Sequence, residues 1–266
     1  MDLELLGRTA IVTGGSKGIG KAIARELALE GATVAIVARG QDDLEAAAAE
    51  IARETSQRIV PIVADTGSDD SVSAMVRQAM ELFGRIDILV NCAAKPGGQG
   101  PVPALRDITT NLVWDDVNIK VIGYLRCARE VAPYMRQQGF GRIINISGLA
   151  ARQSGSTIGS MRNVAVAALT KNLADELGPY GINVTVVHPG TTRTEKTPQV
   201  LAEQARSQGT SPDDIERRMA QANSVRRLIT AREVAYVVAF LASPKSGAIN
   251  GDAIAAGGGV GRAIHY

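Results

Sequence analysis

A chain of 266 residues with 45% hydrophobic content can bury a substantial core, and one large α/β sheet accommodates that length without a second domain. Only 3% of the residues are aromatic, so Ala, Val, Ile and Leu must fill the core. A net charge of +2 is too mild to point to nucleic acid or an anionic membrane, and no apolar run is long enough to cross a bilayer.

Aliphatic runs alternate with helical patterns from one end to the other. Thr9-Ala-Ile-Val12, Thr33-Val-Ala-Ile-Val37, Ile59-Val-Pro-Ile-Val63 and Ile86-Asp-Ile-Leu-Val90 read as buried strands. Arg142-Ile-Ile-Asn-Ile146, Ile182-Asn-Val-Thr-Val-Val187 and a short Ala253-Ile-Ala255 complete a set of about seven. Such near-continuous apolar strands imply a parallel sheet covered on both faces by helices. Amphipathic stretches such as Asp42–Arg53 and Asp70–Leu82 supply those helices. The expected fold is a single doubly wound, Rossmann-type α/β domain over residues 1–266, with ligands bound beyond the carboxyl ends of the strands. The longest interval without a strand lies around 191–231 and is rich in Gln, Arg, Ser and Thr; it is expected to form a helical lid.

The two cysteines, Cys92 and Cys127, lack metal-ligand spacing and read as small buried residues, so no metal site is expected. With no signal-type segment at Met1-Asp-Leu-Glu4, a reducing cytoplasmic setting is expected.

The densest chemistry sits after the first strand. Thr13-Gly-Gly-Ser-Lys-Gly-Ile-Gly20 links that strand to a helix, Lys21–Glu30. Glycines there permit a tight turn, so that a pyrophosphate can approach the free N–H groups of a helix N-terminus. Further along come Asp65-Thr66, Asn91-Cys-Ala-Ala94, Asn145-Ile-Ser-Gly148, Pro189-Gly-Thr-Thr-Arg-Thr194 and Asn250-Gly-Asp-Ala-Ile-Ala-Ala-Gly-Gly258.

These motifs, over essentially the full length, resemble the short-chain dehydrogenase/reductase family. The resemblance implies a dinucleotide held by Gly14, Ser16, Lys17, Gly18, Ile19, Gly20, Arg39, Asp65, Thr66, Asn91, Ala93, Pro189, Gly190, Thr192 and Thr194. In it Asp65 would touch the adenine, Asn91 would brace the central strands and Thr194 would reach the nicotinamide amide. Taken alone, Asp65 is as readily a turn residue. NAD-specific members end the second strand with a carboxylate. Here that position is Ala38, followed by Arg39, and Lys17 lies in the glycine turn. Two cations and no acid suit the 2′-phosphate of NADP(H) over NAD(H), unless both are simply solvated surface charges.

The same register places Gly159 and Asn163 where the family carries Tyr and Lys, because Val164–Val184 follows the family's central helix and next strand without a gap. Gly148 stands where the catalytic Ser is usual, next to Ser147, which is either re-aimed into the site or bonded to local backbone. For the family's Asn, counting back from Gly123 gives Lys120, while counting forward from Trp114 gives a register one residue different; Asn118 lies two residues before Lys120. If the first count holds, Lys and Asn have exchanged places between 120 and 163; the alternative is a snorkelling helix lysine. Ser147, Lys120 and Asn163 are therefore the candidate catalytic residues. Arg162 could polarise a carbonyl or bind a carboxylate, and His188 could titrate. Tyr124, Tyr134, Tyr180 and Tyr236 fall in helical contexts without a partnered Lys, and His265-Tyr266 either reaches a neighbour or ends in solvent.

The expected activity is an NADP(H)-dependent oxidoreduction of a small carbonyl, alcohol or enone compound. The alternatives are a nucleotide-binding pseudoenzyme, serving as a sensor or an assembly subunit, and a non-redox lyase or isomerase. By the same resemblance a homo-oligomer, a tetramer, is expected, with Val164, Ala168 and Ala174 on the packing face of a helix over Thr157–Leu177. Neither nucleic acid nor membrane is an expected partner.

Overall fold

In the computed structural model, which describes residues 1–95 and 102–261, seven parallel strands form one sheet in the order β3-β2-β1-β4-β5-β6-β9. They are β1 (Thr9–Thr13), β2 (Thr33–Ala38), β3 (Ile59–Val63), β4 (Ile88–Asn91), β5 (Gly141–Ile146), β6 (Ile182–Pro189) and β9 (Ala253–Ala256). Each expected strand is present, with ends that differ by one or two residues. Strand side chains alternate between two cores. Val12, Ile36 and Val90 face α1 (Gly18–Leu29), α2 (Gln41–Thr55) and α9 (Ala231–Ala242), through Ile23, Leu27, Leu44, Val234 and Val238. Ile11, Val37 and Leu89 face α3 (Asp69–Phe83), α5 (Gly123–Gln138) and α6 (Thr157–Leu177), through Val72, Met75, Val131 and Leu177. Both faces are buried along β1, β2, β4, β5 and β6, which is why those strands carry almost no polar alternation. The edge strands β3 and β9, expected to be buried, are partly exposed, with Pro61, Val63, Ala253 and Ala255 at the surface because each strand has a neighbour on one side only.

Strand order reverses between β1 and β4, the position where a doubly wound sheet opens its ligand crevice. The turns leaving these two strands nearly touch. A Cβ added at Gly14 (φ +69°) would stand 3.0 Å from the Ala93 backbone, and one at Gly20 would stand 2.2 Å from the Gly14 carbonyl. No side chain fits either place, so the glycines hold the turn tight against the next loop.

Helix α4 (Thr110–Val117) runs into α5 through one π-helical turn, Asn118–Ile122. The interval 191–231 holds α7 (Thr197–Gln208) and α8 (Pro212–Gln221), packed on each other through Leu201, Ala205 and Ile215. It also holds two short strands that sequence patterning did not suggest, β7 (Thr192–Arg193) and β8 (Ile229–Thr230), paired parallel to each other. On α6, Val164 is 50% exposed, and Met161 and Ala168 on the same stripe are exposed too. Ala174 departs from expectation: it is buried in the second core, because ten residues of helix rotate it about 80° from Val164. His265 and Tyr266 lie outside the described residues. Among the described residues no helix is long and apolar enough to cross a membrane, and no His, Cys, Asp or Glu cluster could hold a metal ion.

Candidate active site

The carboxyl ends of β1, β4, β5 and β6 lie side by side along one edge of the sheet, where a doubly wound sheet forms its ligand crevice. At its cofactor end, the Thr13 hydroxyl accepts from the Cys92 and Ala93 N–H groups at 3.0 and 3.2 Å, tying the glycine turn to the Asn91–Ala94 loop. Thr13 opens the glycine motif, yet this linking role has no signature in the motif's spacing. The Asn91 amide donates to Asn145 Oδ1 (2.9 Å), and the Asn145 amide donates to the Thr170 hydroxyl (2.9 Å), so Asn91 braces the central strands. Its own Oδ1 is buried without a hydrogen-bond partner among the described residues.

Of the glycine-turn residues, Lys17 is exposed, Ser16, Gly18 and Ile19 are half-buried, and Gly20 is buried. Lys17 is not free: its amine pairs with the Asp43 carboxylate of α2. Arg39, just past β2, is exposed. Asp65 makes a local turn, its Oδ1 accepting from Gly67 N–H at 2.8 Å, and the neighbouring Thr66 is buried. Across the crevice, Pro189 ends β6, the Thr192 hydroxyl donates to the Gly190 carbonyl (3.0 Å), and Thr194 N–H donates to the Thr197 hydroxyl (2.8 Å). Thr194 also meets the glycine turn, its Cγ2 3.6 Å from where a Cβ on Gly18 would stand. The Gly18 N–H itself already carries an anion, the Glu195 carboxylate, with its two oxygens at 2.9 and 3.2 Å. The turn therefore presents a backbone donor that an anionic oxygen can engage.

The catalytic candidates come together. Lys120, on the π turn, is 4% exposed and its Nζ donates to the Ser147 carbonyl at 3.0 Å. The Ser147 hydroxyl donates to both the main-chain carbonyl (3.1 Å) and Oδ1 (3.2 Å) of Asn163 on α6. Asn118 points elsewhere: its amide donates to the Gly67 carbonyl (3.4 Å) and its Oδ1 accepts from Arg126 (2.9 Å). Geometry thus puts Lys120, not Asn118, beside Ser147.

Burial pushes the Lys120 amine down to about 7, with the Arg162 cation adding in the same direction and Cys92 and Asp116 opposing. Arg162 pairs with Asp116 of α4, and its buried Nε has no partner among the described residues. His188 is buried, with Nδ1 accepting from Gly148 N–H at 3.4 Å; burial, and behind it Arg152 and Lys120, depress it to about 4. It therefore stays neutral at physiological pH. Tyr124 is buried with its hydroxyl donating to the Ile146 carbonyl (2.9 Å), and burial lifts its phenol well above the ordinary value. Gly159 lies in the first turn of α6, its N–H donating to the capping Ser156 hydroxyl. Burial likewise pushes the Cys127 thiol up to about 12, which makes it an inert packing group, whereas Cys92, expected to be buried, is only half-buried because it stands just past the end of β4.

Comparison with known proteins places this geometry. A family model described as enoyl-(acyl carrier protein) reductase matches residues 14–261. The short-chain reductase protein NovJ of Streptomyces niveus is 38% identical over 254 residues, covering 94% of this chain and 92% of that protein. The chain belongs to the short-chain dehydrogenase/reductase family. As a family member it also resembles the NADPH-dependent reductase BacG of Bacillus subtilis, 32% identical across 97% of this chain and 99% of BacG. The L-sorbose reductase of Gluconobacter frateurii, solved with NADPH and L-sorbose, superposes with a TM-score of 0.91 at 28% identity, covering 99% of this chain and all of that one. The family assignment makes an oxidoreductase the general class of this protein.

Proposed function

We propose that the protein is an NADP(H)-dependent oxidoreductase acting on a small carbonyl, alcohol or enone compound, with Lys120 managing the proton that the family normally routes through Tyr. The observation that carries this reading is the buried Lys120 amine beside Ser147, opposite Asn163, with burial holding it at about 7. A general acid or base works best with a pKa near the operating pH, and this amine is close to half-protonated there.

The residues around the crevice fit a dinucleotide. Gly14 to Gly20 would cradle the pyrophosphate, Arg39 and Lys17 would take the 2′-phosphate, and Thr192 and Thr194 would line the nicotinamide end. The Lys17–Asp43 pair is exposed on both sides, so it is worth at most about 1 kcal/mol and yields readily to a phosphate. BacG is named as NADPH-dependent and the L-sorbose reductase binds NADPH, which supports the same cofactor here. The cofactor supplies or accepts a hydride. Lys120 gives a proton to the substrate oxygen in reduction and takes one in oxidation. The Ser147–Asn163 bond fixes the wall against which that oxygen lies. The interval around 191–231 closes over the substrate as a lid, and the whole chain acts as one domain within a homotetramer.

The test is turnover on an established substrate. Lys120→Met should lower it at least about tenfold, the low end for losing a positioned acid, while Tyr124→Phe leaves it nearly unchanged. Full activity of Lys120→Met would overturn the assignment. A second reading, a nucleotide-binding pseudoenzyme or assembly subunit, is favoured by one observation: the Tyr124 hydroxyl is buried and committed to the Ile146 carbonyl, away from any proton transfer. Inertness of the wild type toward a broad panel of carbonyls, alcohols and enones, with NADPH bound, would select it or a non-redox lyase or isomerase using the same pocket.

A further inference from the structure

Helix α1 starts without local help at its amino end. Lys17 at the cap position offers no side-chain hydrogen bond, and the first turn contains no acid. The carboxylate that satisfies it comes from Glu195, 177 residues further along, in the short link between β7 and α7 where the lid begins. That link is held in shape by two bonds between the same residues. Thr194 N–H donates to the Thr197 hydroxyl at 2.8 Å, and Thr197 N–H donates to the Thr194 carbonyl at 3.0 Å. Glu195 is exposed, so its position owes little to packing and much to the Gly18 N–H and the positive end of α1.

We infer that Glu195 is an internal competitor for the pyrophosphate of the dinucleotide and straps the start of the lid to the glycine turn until the cofactor displaces it. The inference rests on the dinucleotide reading above. Both Glu195 oxygens already occupy the Gly18 N–H, and a phosphate brought to the same donor would stand at contact distance from a like charge, which repels it. Cofactor entry must therefore break both Glu195 bonds and expel the carboxylate into water. Because Glu195 stands next to Thr194, expulsion also shifts the residue expected at the nicotinamide end. Glu195 is thus an affinity-determining residue that lowers dinucleotide affinity and couples cofactor arrival to release of the lid.

Titration calorimetry on the full chain tests this with two ligands: NADPH, and adenosine 2′-monophosphate, which lacks the pyrophosphate. Glu195→Gln and Glu195→Ala should each bind NADPH roughly tenfold tighter than the wild type, the scale of one charge-assisted hydrogen bond after screening. Both should bind adenosine 2′-monophosphate as the wild type does. Glu203→Gln, an exposed change of the same charge on α7, should alter NADPH affinity by less than about twofold. Equal NADPH affinity in the wild type and both Glu195 variants overturns the inference while leaving the dinucleotide reading intact. The same holds for an equal tightening toward adenosine 2′-monophosphate, which would reduce the effect to net charge. If folded wild type and variants all fail to bind NADPH, the dinucleotide reading fails and the inference falls with it.

Discussion

Replacing Lys120 by Met removes a charge while keeping an unbranched side chain of similar length, so the buried space stays filled. In the folded protein the amine is depressed from 10.5 to about 7, mainly by burial and then by the Arg162 cation. The groups around it are Arg162 of α6, Asp116 of α4, Cys92 after β4, Tyr124 of α5 and His188 of β6; the last three are uncharged at neutral pH. Since each factor of ten in a proton equilibrium is about 1.4 kcal/mol, holding a charged Lys120 here costs the fold up to about 5 kcal/mol. Relaxation of the site and loss of the Ser147 carbonyl's hydrogen bond bring the expected net gain of Lys120→Met at pH 6 to about 2–4 kcal/mol.

The pH dependence identifies the cause. Between the folded and unfolded values the unfolded chain binds the extra proton, so wild-type stability rises as pH increases from about 7 toward 10.5. Below about 7 both states are protonated and the penalty is at its full, constant value. The advantage of Lys120→Met should therefore be largest at pH 6 and narrow by about 2.7 kcal/mol at pH 9. Urea unfolding of both proteins at several pH values, followed by circular dichroism, measures this without any substrate. A stability difference that stays the same across that range would refute a depressed Lys120. A wild type more stable than the variant at pH 6 would show that the amine is a structural asset and not a charge held for chemistry.

The 2′-phosphate reading predicts that Arg39→Ala weakens NADPH binding about tenfold or more and leaves NADH nearly unchanged, because Arg39 is the exposed cation at the end of β2 that Asp43 does not already engage. Calorimetry with both cofactors checks it, and equal losses for the two would remove Arg39 from the phosphate site. The oligomer reading predicts that the wild type is a tetramer at micromolar concentration and that Val164→Arg shifts it to a smaller species, since Val164 and Met161 are half-exposed apolar residues on one stripe of α6. Light scattering decides, and a tetramer that tolerates Val164→Arg would move the interface elsewhere.

The sheet was legible because a strand covered on both faces has no reason to alternate, so aliphatic runs such as Thr33–Val37 stand out in a chain with few aromatics. The tight turn after β1 was legible because Gly20 has no room for a Cβ and Gly14 combines a positive φ with close backbone contact. What sequence could not supply are pairings between distant segments: Lys17 with Asp43, Thr13 with the loop after β4, and Glu195 with Gly18. Nothing local marks them, and the first turned a supposedly free cation into a paired one. The catalytic ambiguity has a different origin. Counting from Trp114 and counting back from Gly123 disagreed by one residue, and the turn between them, Asn118–Ile122, is π-helical. A π turn widens one helical turn by a residue, and no residue pattern within Asn118–Ile122 announces it. Across that turn Asn118 faces Gly67 and Arg126, while Lys120 faces the Ser147 carbonyl. An amine buried on an irregular turn, where burial makes its charge costly, is the arrangement that the stability of Lys120→Met across pH reads directly, without any substrate.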